Sequence, residues 1–448
     1  MSRQMKLSII GLGKLGSPMV AVFAEKGYSV IGLDINPSFV EALSKGRAPV
    51  DEPGLQDMID RNRERISATM DYQDAVQNSD ITFIIVPTPS GTNHLFSNRY
   101  VIDSLEHIGK ALRIKPGYHC VVVTSTVMPG STGGELRKVL EAAAGRRVGP
   151  ELGLCYNPEF IALGTVIRDM LRPDMILIGE SDPRAGQMLE DIYKNSTESN
   201  PQIQRMNFVN AELTKIAVNT FVTTKISYAN MIADMCDHLP GADAGVVNSA
   251  VGTDSRIGRR YLKSGMGYGG PCFPRDNKAF AAFGRMIGAR CDLAEATDRI
   301  NDHQLMRLQG AVEGAAAPGA TVAILGLSYK QDSGVIEAAQ GVMLAQLLSN
   351  NGYRVVTFDP RANAAASAVL GPAVAMVDSA APAIQQADVV VITTPWEVFK
   401  EISLDQLQED GRRRTVIDPW RILSPEAAEG AARHLVLGVG SSLEKSTM

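Results

Sequence analysis

One stretch of the sequence, Gly265 to Asp276, combines residue types that suit covalent chemistry. Four glycines fall within the six residues from Gly265 to Gly270, and Cys272 follows them. Glycine lets a backbone adopt positive φ and approach a bound ligand closely. Pro274 suits the first position of a helix, which would place Cys272 just ahead of a helix N-terminus, where the helix dipole favours the reactive thiolate. Asp276 would then lie in the first turn. A glycine-rich turn with an inert cysteine and a capping aspartate is an equally good interpretation of this stretch alone.

A second candidate site lies near the start of the chain. A strand is predicted at Lys6–Ile10, and it runs into the glycine loop GLGKLG at 11–16, a helical pattern and a second strand at Ser29–Leu33. Such glycines permit a tight turn and a close approach to a pyrophosphate at the helix N-terminus. Asp34 follows the second strand, where a carboxylate would bind ribose hydroxyls and repel a 2′-phosphate. The pattern therefore predicts binding of NAD rather than NADP.

Two threonines follow buried strands predicted at Ile81–Val86 and His119–Thr124. Loops at the carboxyl ends of parallel strands form the ligand crevice of such sheets. Thr88 and Thr126 are therefore expected near the cofactor. A turn hydroxyl that binds its own backbone is an equally good interpretation of each threonine. A further strand is predicted at Leu152–Tyr156.

A long helix is predicted from Asn207 to His238, because the segment has an apolar stripe and no internal glycine or proline. Lys215 and Asn219 are four residues apart and project from one face of this helix. In an arbitrary helix, such a pair would simply be exposed to solvent. The length exceeds that of an average globular helix, so we expect it to bridge two lobes and to bury part of its surface against another subunit.

A second alternation of strands and helices begins near Ala320 and predicts a second parallel sheet. Its first strand is expected at Thr321–Leu325, and later strands at Tyr353–Phe358, Asp388–Thr393 and Thr415–Ile417. The turn after the first strand lacks the full GxGxxG pattern. The second sheet is therefore interpreted as a mononucleotide-binding half and not as a second NAD site. A polar tail is expected at Ser441–Met448.

Composition limits the classes of function. The 448 residues are 45% hydrophobic and 21% charged, with a net charge of −5, which gives no electrostatic footprint for nucleic acid or an anionic membrane. No apolar run reaches the roughly 18 residues of a membrane span, and no signal peptide is expected. The five cysteines lack metal-binding spacing, so no metal site is predicted. Four of them are expected in the core: Cys120, Cys155, Cys236 and Cys291. A cytoplasmic protein is the resulting expectation.

Together these motifs resemble the UDP-glucose/GDP-mannose dehydrogenase family over nearly the full length of the chain. The similar segments are GLGKLG at 11–16, EPGL at 52–55, PTP at 87–89, STV at 125–127, NPEF at 157–160, AELTKIAVNTF around Lys215 and Asn219, GYGGPCFPRD at 267–276 and GLSYKQD at 326–332. The motif around Cys272 is the most specific of them. The resemblance implies that two NAD⁺ oxidise the C6 alcohol of a nucleotide sugar to a carboxylate, with UDP-glucose the first expectation, in polysaccharide biosynthesis.

The resemblance also implies an α/β fold of two Rossmann-like parallel-sheet domains joined by a central long helix or helical domain. The expected boundaries are 1–200 for an NAD-binding domain, 201–305 for a helical dimerisation domain with the cysteine loop, and 306–448 for a domain that binds the UDP of a nucleotide sugar. The expected partners are the nucleotide-sugar substrate and a second copy of the chain, in a homodimer or a dimer-based oligomer.

Two oxidations at one site need a nucleophile, because an aldehyde carbon donates no hydride until a group adds to it. The resemblance implies that the Cys272 thiolate adds, giving a thiohemiacetal and then a thioester. Lys215 and Asn219 would donate to the developing oxyanion. Asp276 would position or activate a water. The expected catalytic residues are Cys272, Lys215, Asn219, Asp276, Glu159 (guiding the hydrolytic water) and Thr126 (holding that water or the nicotinamide edge).

Binding residues follow from the same resemblance. Expected cofactor contacts are Gly11, Gly13, Leu15, Gly16, Asp34, Thr88 and Thr126. Expected substrate contacts are Glu159, Lys215, Asn219, Arg256, Tyr261, Leu262, Lys263, Gly267 and Lys330. Arg256 would reach a partner subunit's substrate, and Lys330 would suit a diphosphate or a sugar.

Four features depart from the family pattern. Leu163 stands where a second acid is usual, and Glu337 replaces an expected arginine. Pro271 stands where serine is common, and the segment Ser90 to Asn98 has no counterpart that we can interpret. The charge reversal at Glu337 leaves open how phosphates are held and which nucleotide sugar is used.

Alternatives remain open at this point. The same chemistry could act on GDP-mannose or a UDP-N-acetylhexosamine. The start GLGKLGSPM also resembles one-step β-hydroxyacid dehydrogenases, which need no nucleophilic cysteine and would yield one NADH per substrate instead of two. A non-catalytic nucleotide-sugar sensor would bind the sugar nucleotide and form no NADH.

Overall fold

The computed structural model describes residues 5–408, 411–412, 414–431 and 433–440, so the expected tail Ser441–Met448 lies outside the described residues. The chain divides into two compact units, Met1–Ala217 and Val218–Met448, which we call the N-terminal and C-terminal units. In the described part of the chain, every helix is too short or too polar to cross a membrane.

The N-terminal unit is built on an eight-stranded sheet of order β3-β2-β1-β4-β5-β6-β7-β8. Its strands are β1 Lys6–Ile10, β2 Ser29–Leu33, β3 Ile66–Thr69, β4 Ile81–Ile84, β5 Cys120–Val123, β6 Gly153–Tyr156, β7 Met175–Glu180 and β8 Gln202–Met206. All neighbouring strands are parallel except β6 and β7. The predicted strands are confirmed, with β1 and β2 at their predicted bounds.

Helices cover both faces of this sheet, which is why its inner strands are continuous apolar runs. The helices are α1 Gly16–Glu25, α2 Pro37–Ser44, α3 Leu55–Arg61, α4 Tyr72–Gln77, α5 Arg99–Arg113, α6 Arg137–Ala144, α7 Val166–Leu171 and α8 Pro183–Ser196, with single turns at Arg63–Arg65 and Thr132–Leu136. Helix α3 starts at Leu55, directly after Gly54, which has a left-handed backbone with φ of 79°.

The long helix predicted at 207–238 is confirmed as α9, Phe208–Asp237. Three more helices follow in the C-terminal unit: α10 Ala244–Thr253, α11 Phe273–Met286 and α12 Asp292–Glu313. Of the four cysteines expected in the core, Cys120, Cys155 and Cys236 are buried, whereas Cys291 is half-buried next to the short loop before α12.

The second predicted sheet is confirmed as a six-stranded parallel sheet of order β11-β10-β9-β12-β13-β14. Its strands are β9 Thr321–Leu325, β10 Arg354–Phe358, β11 Val374–Met376, β12 Val389–Ile392, β13 Thr415–Ile417 and β14 Arg433–Leu435. Its helices are α13 Gln340–Asn350, α14 Asn363–Leu370, α15 Ala380–Gln386, α16 Leu404–Gln408 and α17 Pro425–Gly430, with a single turn at Glu397–Glu401. The fold class is therefore confirmed as two Rossmann-like α/β domains joined by a helical central domain.

Candidate active site

The glycine loop between β1 and α1 has the geometry of a phosphate cradle. Gly11 has φ of 101°, and a Cβ on Gly16 would lie 1.8 Å from the Gly11 carbonyl oxygen, so both positions require glycine. A Cβ on Gly13 would meet nothing within 4 Å, so this side of the loop is open. Leu15 caps α1 without a side-chain acceptor for the first helical N–H groups. Open space in front of such donors suits a pyrophosphate.

Asp34 lies at the end of β2, beside this loop, and is half-buried. Its Oδ2 accepts a hydrogen bond from the Leu12 N–H at 2.6 Å, and its Oδ1 accepts one from the Asn36 N–H at 2.8 Å. A carboxylate has about four acceptor sites, so lone pairs remain on its accessible side. The residues present therefore fit a dinucleotide whose ribose hydroxyls donate to Asp34.

The two threonines expected at the crevice are joined to one another. The Thr88 hydroxyl is buried and donates to the Thr126 carbonyl oxygen at 2.7 Å, which ties together the loops after β4 and β5. The neighbouring Ser125 hydroxyl accepts from the Val86 N–H at 2.9 Å and donates to the Val86 carbonyl at 2.7 Å. Thr126 itself is half-exposed at the carboxyl edge of the sheet. These hydroxyls hold the two loops together. The cofactor-binding roles of Thr88 and Thr126 stay predictions.

Glu159 is half-buried, lies among largely apolar side chains and has the Tyr193 hydroxyl next to its carboxyl group. The Tyr193 hydroxyl is 3.1 Å from Glu159 Oε1 and donates to Asn157 Oδ1 at 2.5 Å. Lys215 donates to the Glu159 backbone carbonyl at 2.5 Å, and its Nζ is 4.5 Å from the Phe160 ring centre. Burial raises the pKa of Glu159 to about 7, although the Tyr193 hydrogen bond and the Lys215 charge act in the opposite direction. Such a pKa suits a group that exchanges protons near neutral pH.

Lys215 and Asn219 are one turn apart on α9, as the sequence predicts. Asn219 Nδ2 donates to Asp276 Oδ2 at 2.6 Å, so one of its two amide hydrogens is used within the protein. Arg275 donates to Asp276 Oδ1 through Nε and Nη2, each at 3.1 Å. Asp276 is therefore buried and bound on both oxygens. Sequence reasoning missed Arg275, although it directly precedes Asp276.

Cys272 is exposed and forms the N-cap of α11. The helix begins at Phe273, so Pro274 takes the second helical position and not the predicted first. A Cβ on Gly270 would lie 2.5 Å from the Tyr329 ring, and Gly270 has φ of 84°, so this position also requires glycine. Burial and the nearby charge of Cys272 raise the pKa of Tyr329 to about 12. The predicted location of the thiol at a helix N-terminus is confirmed.

A cavity of about 300 Å³ lies within the C-terminal unit, next to the predicted substrate loop. Leu262 and Lys263 line it, together with three residues that sequence reasoning missed, Arg259, Trp420 and Arg421. Arg421 is held by a two-pronged ion pair with Asp243 at 2.7 and 2.8 Å. The signal that could have found Trp420 and Arg421 is their position in the loop after β13, because ligand loops occur at the carboxyl ends of strands in parallel sheets.

The other predicted substrate residues lie outside the lining of this cavity. Arg256 has an 86% exposed side chain and pairs with Asp254 at 2.6 Å. Tyr261 is exposed with φ of 61°, Lys330 Nζ is 5.9 Å from the Tyr329 ring centre, and Gly267 is half-buried. Their substrate roles therefore stay predictions.

Three family models match the chain in order. They describe the NAD binding domain, at residues 5–197, the central domain, at 209–303, and the UDP binding domain, at 323–425, of the UDP-glucose/GDP-mannose dehydrogenase family. The UDP-glucose 6-dehydrogenase AglM of Haloferax volcanii is 37% identical over 94% of this chain and 97% of its own length. The chain belongs to the UDP-glucose/GDP-mannose dehydrogenase family.

Solved structures and further relatives agree with this assignment. A UDP-glucose dehydrogenase from Pyrobaculum islandicum superposes with a TM-score of 0.88, at 34% identity over 98% of both chains. A GDP-mannose 6-dehydrogenase of Pseudomonas aeruginosa is 31% identical over 79% of this chain and 81% of its own. This member of the family is an oxidoreductase with NAD as its cofactor and a nucleotide sugar as its substrate. The expected boundaries at 1–200, 201–305 and 306–448 stay a prediction.

Proposed function

We propose that this chain oxidises the C6 alcohol of UDP-glucose to the carboxylate of UDP-glucuronate in two NAD-dependent steps, with Cys272 as the nucleophile. The observation that supports this proposal most is an exposed thiol at the N-terminus of α11, one turn from a buried Asp276. A helix N-terminus lowers the pKa of a thiol, and the thiolate is the nucleophilic form.

The cofactor, when bound, accepts one hydride in each oxidation. In the first oxidation the C6 hydroxyl loses its proton and a hydride, and an aldehyde results. The Lys215 ammonium and the second amide hydrogen of Asn219 donate to the developing oxygen charge, a contribution of about 3 kcal/mol for one such donor. Both groups stand one turn apart on α9, which keeps their spacing rigid.

In the second oxidation the Cys272 sulfur forms a bond to the aldehyde carbon, and the oxygen gains a proton to give a thiohemiacetal. Loss of that proton and of the carbon-bound hydride leaves a thioester. Water then attacks the thioester carbon, the carbon–sulfur bond breaks, and the thiol is restored. Glu159 accepts the proton of this water, because burial gives it a pKa of about 7.

The cavity beside Lys263 is the proposed place of the nucleotide. Its cationic lining, Arg259, Lys263 and Arg421, suits a diphosphate, and the Trp420 ring offers a flat apolar surface to a base. UDP-glucose is the leading substrate because AglM and the Pyrobaculum islandicum enzyme, at 37% and 34% identity, are UDP-glucose dehydrogenases, whereas the GDP-mannose 6-dehydrogenase of Pseudomonas aeruginosa is 31% identical. GDP-mannose and a UDP-N-acetylhexosamine are the alternatives.

We also infer a dimer, in a reducing cytoplasm, that supplies a uronate for polysaccharide biosynthesis. Large apolar side chains are exposed along α9 and α10, among them Phe221, Tyr228, Met235 and Val246. An apolar surface of this kind is typical of a protein–protein contact. A second copy of the chain would cover it, and sedimentation of the purified protein tests this inference.

The decisive experiment combines a substrate panel with a cysteine variant. The purified protein should form NADH with UDP-glucose faster than with GDP-mannose or UDP-N-acetylhexosamines. Cys272→Ser should bind UDP-glucose normally and should lose the second oxidation and with it sustained NADH production, because a serine hydroxyl is rarely ionised and adds poorly to the aldehyde. The control Cys291→Ser changes the half-buried cysteine and should keep full activity. A Cys272→Ser protein that still makes two NADH per sugar would contradict the thioester route.

A further inference from the structure

The glycine loop that leads to Cys272 is held by side chains of two buried asparagines. Asn230 on α9 accepts from the Gly265 N–H and donates to the Met266 carbonyl, each at 3.0 Å. Asn301 on α12 accepts from the Tyr268 N–H at 2.7 Å and donates to the Tyr268 carbonyl at 3.1 Å. Each side-chain amide therefore pairs with the loop backbone as a neighbouring strand would.

Because these two amides are buried, they restrict the glycine loop to one position. Asn230 is 0% and Asn301 is 7% exposed. A buried polar group that loses its hydrogen-bond partner is destabilising, because no water replaces that partner. Displacement of the loop would leave the donor and the acceptor of both asparagines unpaired, so alternative loop positions are strongly disfavoured. A loop this rich in glycine would otherwise have much conformational freedom.

The segments on either side of the cysteine are fixed to the same two helices. Asn277 on α11 is fully buried and donates to the Ala294 carbonyl of α12 at 2.8 Å, and the Thr223 hydroxyl of α9 is 3.3 Å from Asn277 Oδ1. The Tyr268 hydroxyl donates to Asp298 Oδ1 at 2.7 Å. The backbone before and after Cys272 is therefore held against α9 and α12.

We propose that Asn230 and Asn301 are positioning residues that hold the Cys272 sulfur where it can attack the aldehyde. The attack on an aldehyde presupposes the proposed function, and this part of the proposal rests on it. Only the second oxidation and the hydrolysis use the sulfur, so a misplaced loop slows these steps and spares the first oxidation. A displacement of about 1 Å at a reacting group can cost a hundredfold in rate.

The test uses Asn230→Asp and Asn301→Asp, which keep the acceptor for the loop N–H and lose the donor to the loop carbonyl. A third variant, Asn301→Leu, loses both bonds of that amide at similar volume. In a single turnover with UDP-glucose, the first NADH should form at nearly the wild-type rate and the second about ten- to a hundredfold more slowly. The KM for UDP-glucose should stay within about threefold of the wild-type value, and kcat should fall.

A second readout does not depend on the sugar. Alkylation of Cys272 by iodoacetamide, followed by mass spectrometry, should be slower in the Asn230 and Asn301 variants, because the sulfur leaves the helix N-terminus that favours its thiolate. If the wild-type protein forms no NADH with any nucleotide sugar, the proposed function fails, and the alkylation rates still test the positioning role.

The matched control is Asn363→Asp. Asn363 also binds two backbone groups, accepting from the Asp359 N–H at 2.8 Å and donating to the Val377 carbonyl at 2.9 Å, next to the second sheet. This variant should lose stability and keep both NADH steps and the alkylation rate. The inference is overturned if folded Asn230 and Asn301 variants behave like the control in both readouts, which would give these asparagines a purely structural role.

Discussion

In chain order, the first strand of each sheet is followed by a glycine with nearly the same geometry. In the N-terminal unit, Gly11 has φ of 101° and its N–H donates to the Leu33 carbonyl at 2.7 Å. In the C-terminal unit, Gly326 has φ of 111° and its N–H donates to the Phe358 carbonyl at 2.8 Å. In both units an aspartate directly follows the second strand of the motif. The two backbones are therefore alike at the point where a Rossmann sheet binds a nucleotide.

The two aspartates have different surroundings. Asp34 accepts from two backbone N–H groups and remains half-buried. Asp359 is 1% exposed, and six donors of its own unit surround its carboxylate. These donors are the N–H groups of Leu327, Ser328, Arg361 and Ala362, the Ser328 hydroxyl and the Trp396 indole N–H. A ribose could donate to Asp34, whereas Asp359 has its acceptor sites filled.

The strand–glycine–acid pattern therefore predicts a backbone conformation and does not by itself predict a binding function. In the C-terminal unit the acid, Asp359, has a structural role. Its hydrogen bonds connect the glycine turn to Trp396 and to the start of α14. This agrees with the sequence-based interpretation that the second sheet is no second NAD site. We therefore expect the accessible acid, Asp34, to lie at the cofactor site.

The largest expected effect is on the stability of the C-terminal unit. Asp359→Ala leaves several buried donors unpaired, and we expect a loss of about 3–5 kcal/mol in the free energy of unfolding. Thermal unfolding followed by circular dichroism measures this. NAD affinity of the folded protein should not change. Trp396→Phe removes one donor and serves as the milder control. An Asp359→Ala protein of wild-type stability, or one with weakened NAD binding, would contradict the comparison.

The opposite result is expected for Asp34→Ala. NAD affinity should fall about ten- to a hundredfold, since a hydrogen bond to a charged group contributes about 1.5–3 kcal/mol. Discrimination against NADP should relax, because the carboxylate that repels the 2′-phosphate is absent. The unfolding temperature should change little, because Asp34 is only half-buried. Titration calorimetry with NAD and NADP tests this, and unchanged cofactor binding would mean that Asp34 does not contact the ribose.

A further prediction concerns the pH dependence of hydrolysis, for which the relevant carboxyl group is that of Glu159. The carboxyl group of Glu159 contacts the Tyr193 hydroxyl and has a pKa of about 7 because it is buried. Its ionised form is the base, so hydrolysis should slow as the pH falls below about 7 and level off above it. Glu159→Gln should remove this dependence and slow hydrolysis about a hundredfold. Stopped-flow kinetics between pH 5.5 and 9 provide the test, and a profile that is unchanged in Glu159→Gln would assign the base to another group.

The sequence predicted most of the buried apolar strands, although β7, which is also a buried apolar run, was not predicted. The buried strands β1, β2, β9 and β13 were predicted at their observed bounds because they are apolar runs with clear ends. The edge strands β3 and β8 are half-exposed and polar, so no apolar run marked them. Helix α11 starts one residue earlier than predicted because Phe273 adopts the helical conformation ahead of Pro274.

The residues of the candidate active site also divide into those with a local sequence signal and those without one. Cys272, Asp276 and Asp34 stand in motifs whose spacing carries the signal. Tyr193 and Asn301 lie in helices far away in sequence, and only folding brings them to Glu159 and to the glycine loop. An asparagine or a tyrosine within a helix has no spacing that separates it from an ordinary surface residue. Contacts of this kind had to be read from the structure.

The most direct test of the central claim is the ratio of NADH formed to uronate formed by the wild-type protein with limiting UDP-glucose. Two NADH should form for each UDP-glucuronate, with no free aldehyde trapped by hydroxylamine, because the Cys272 thiol captures the aldehyde before it leaves. A ratio of one, with the aldehyde as the product, would contradict it.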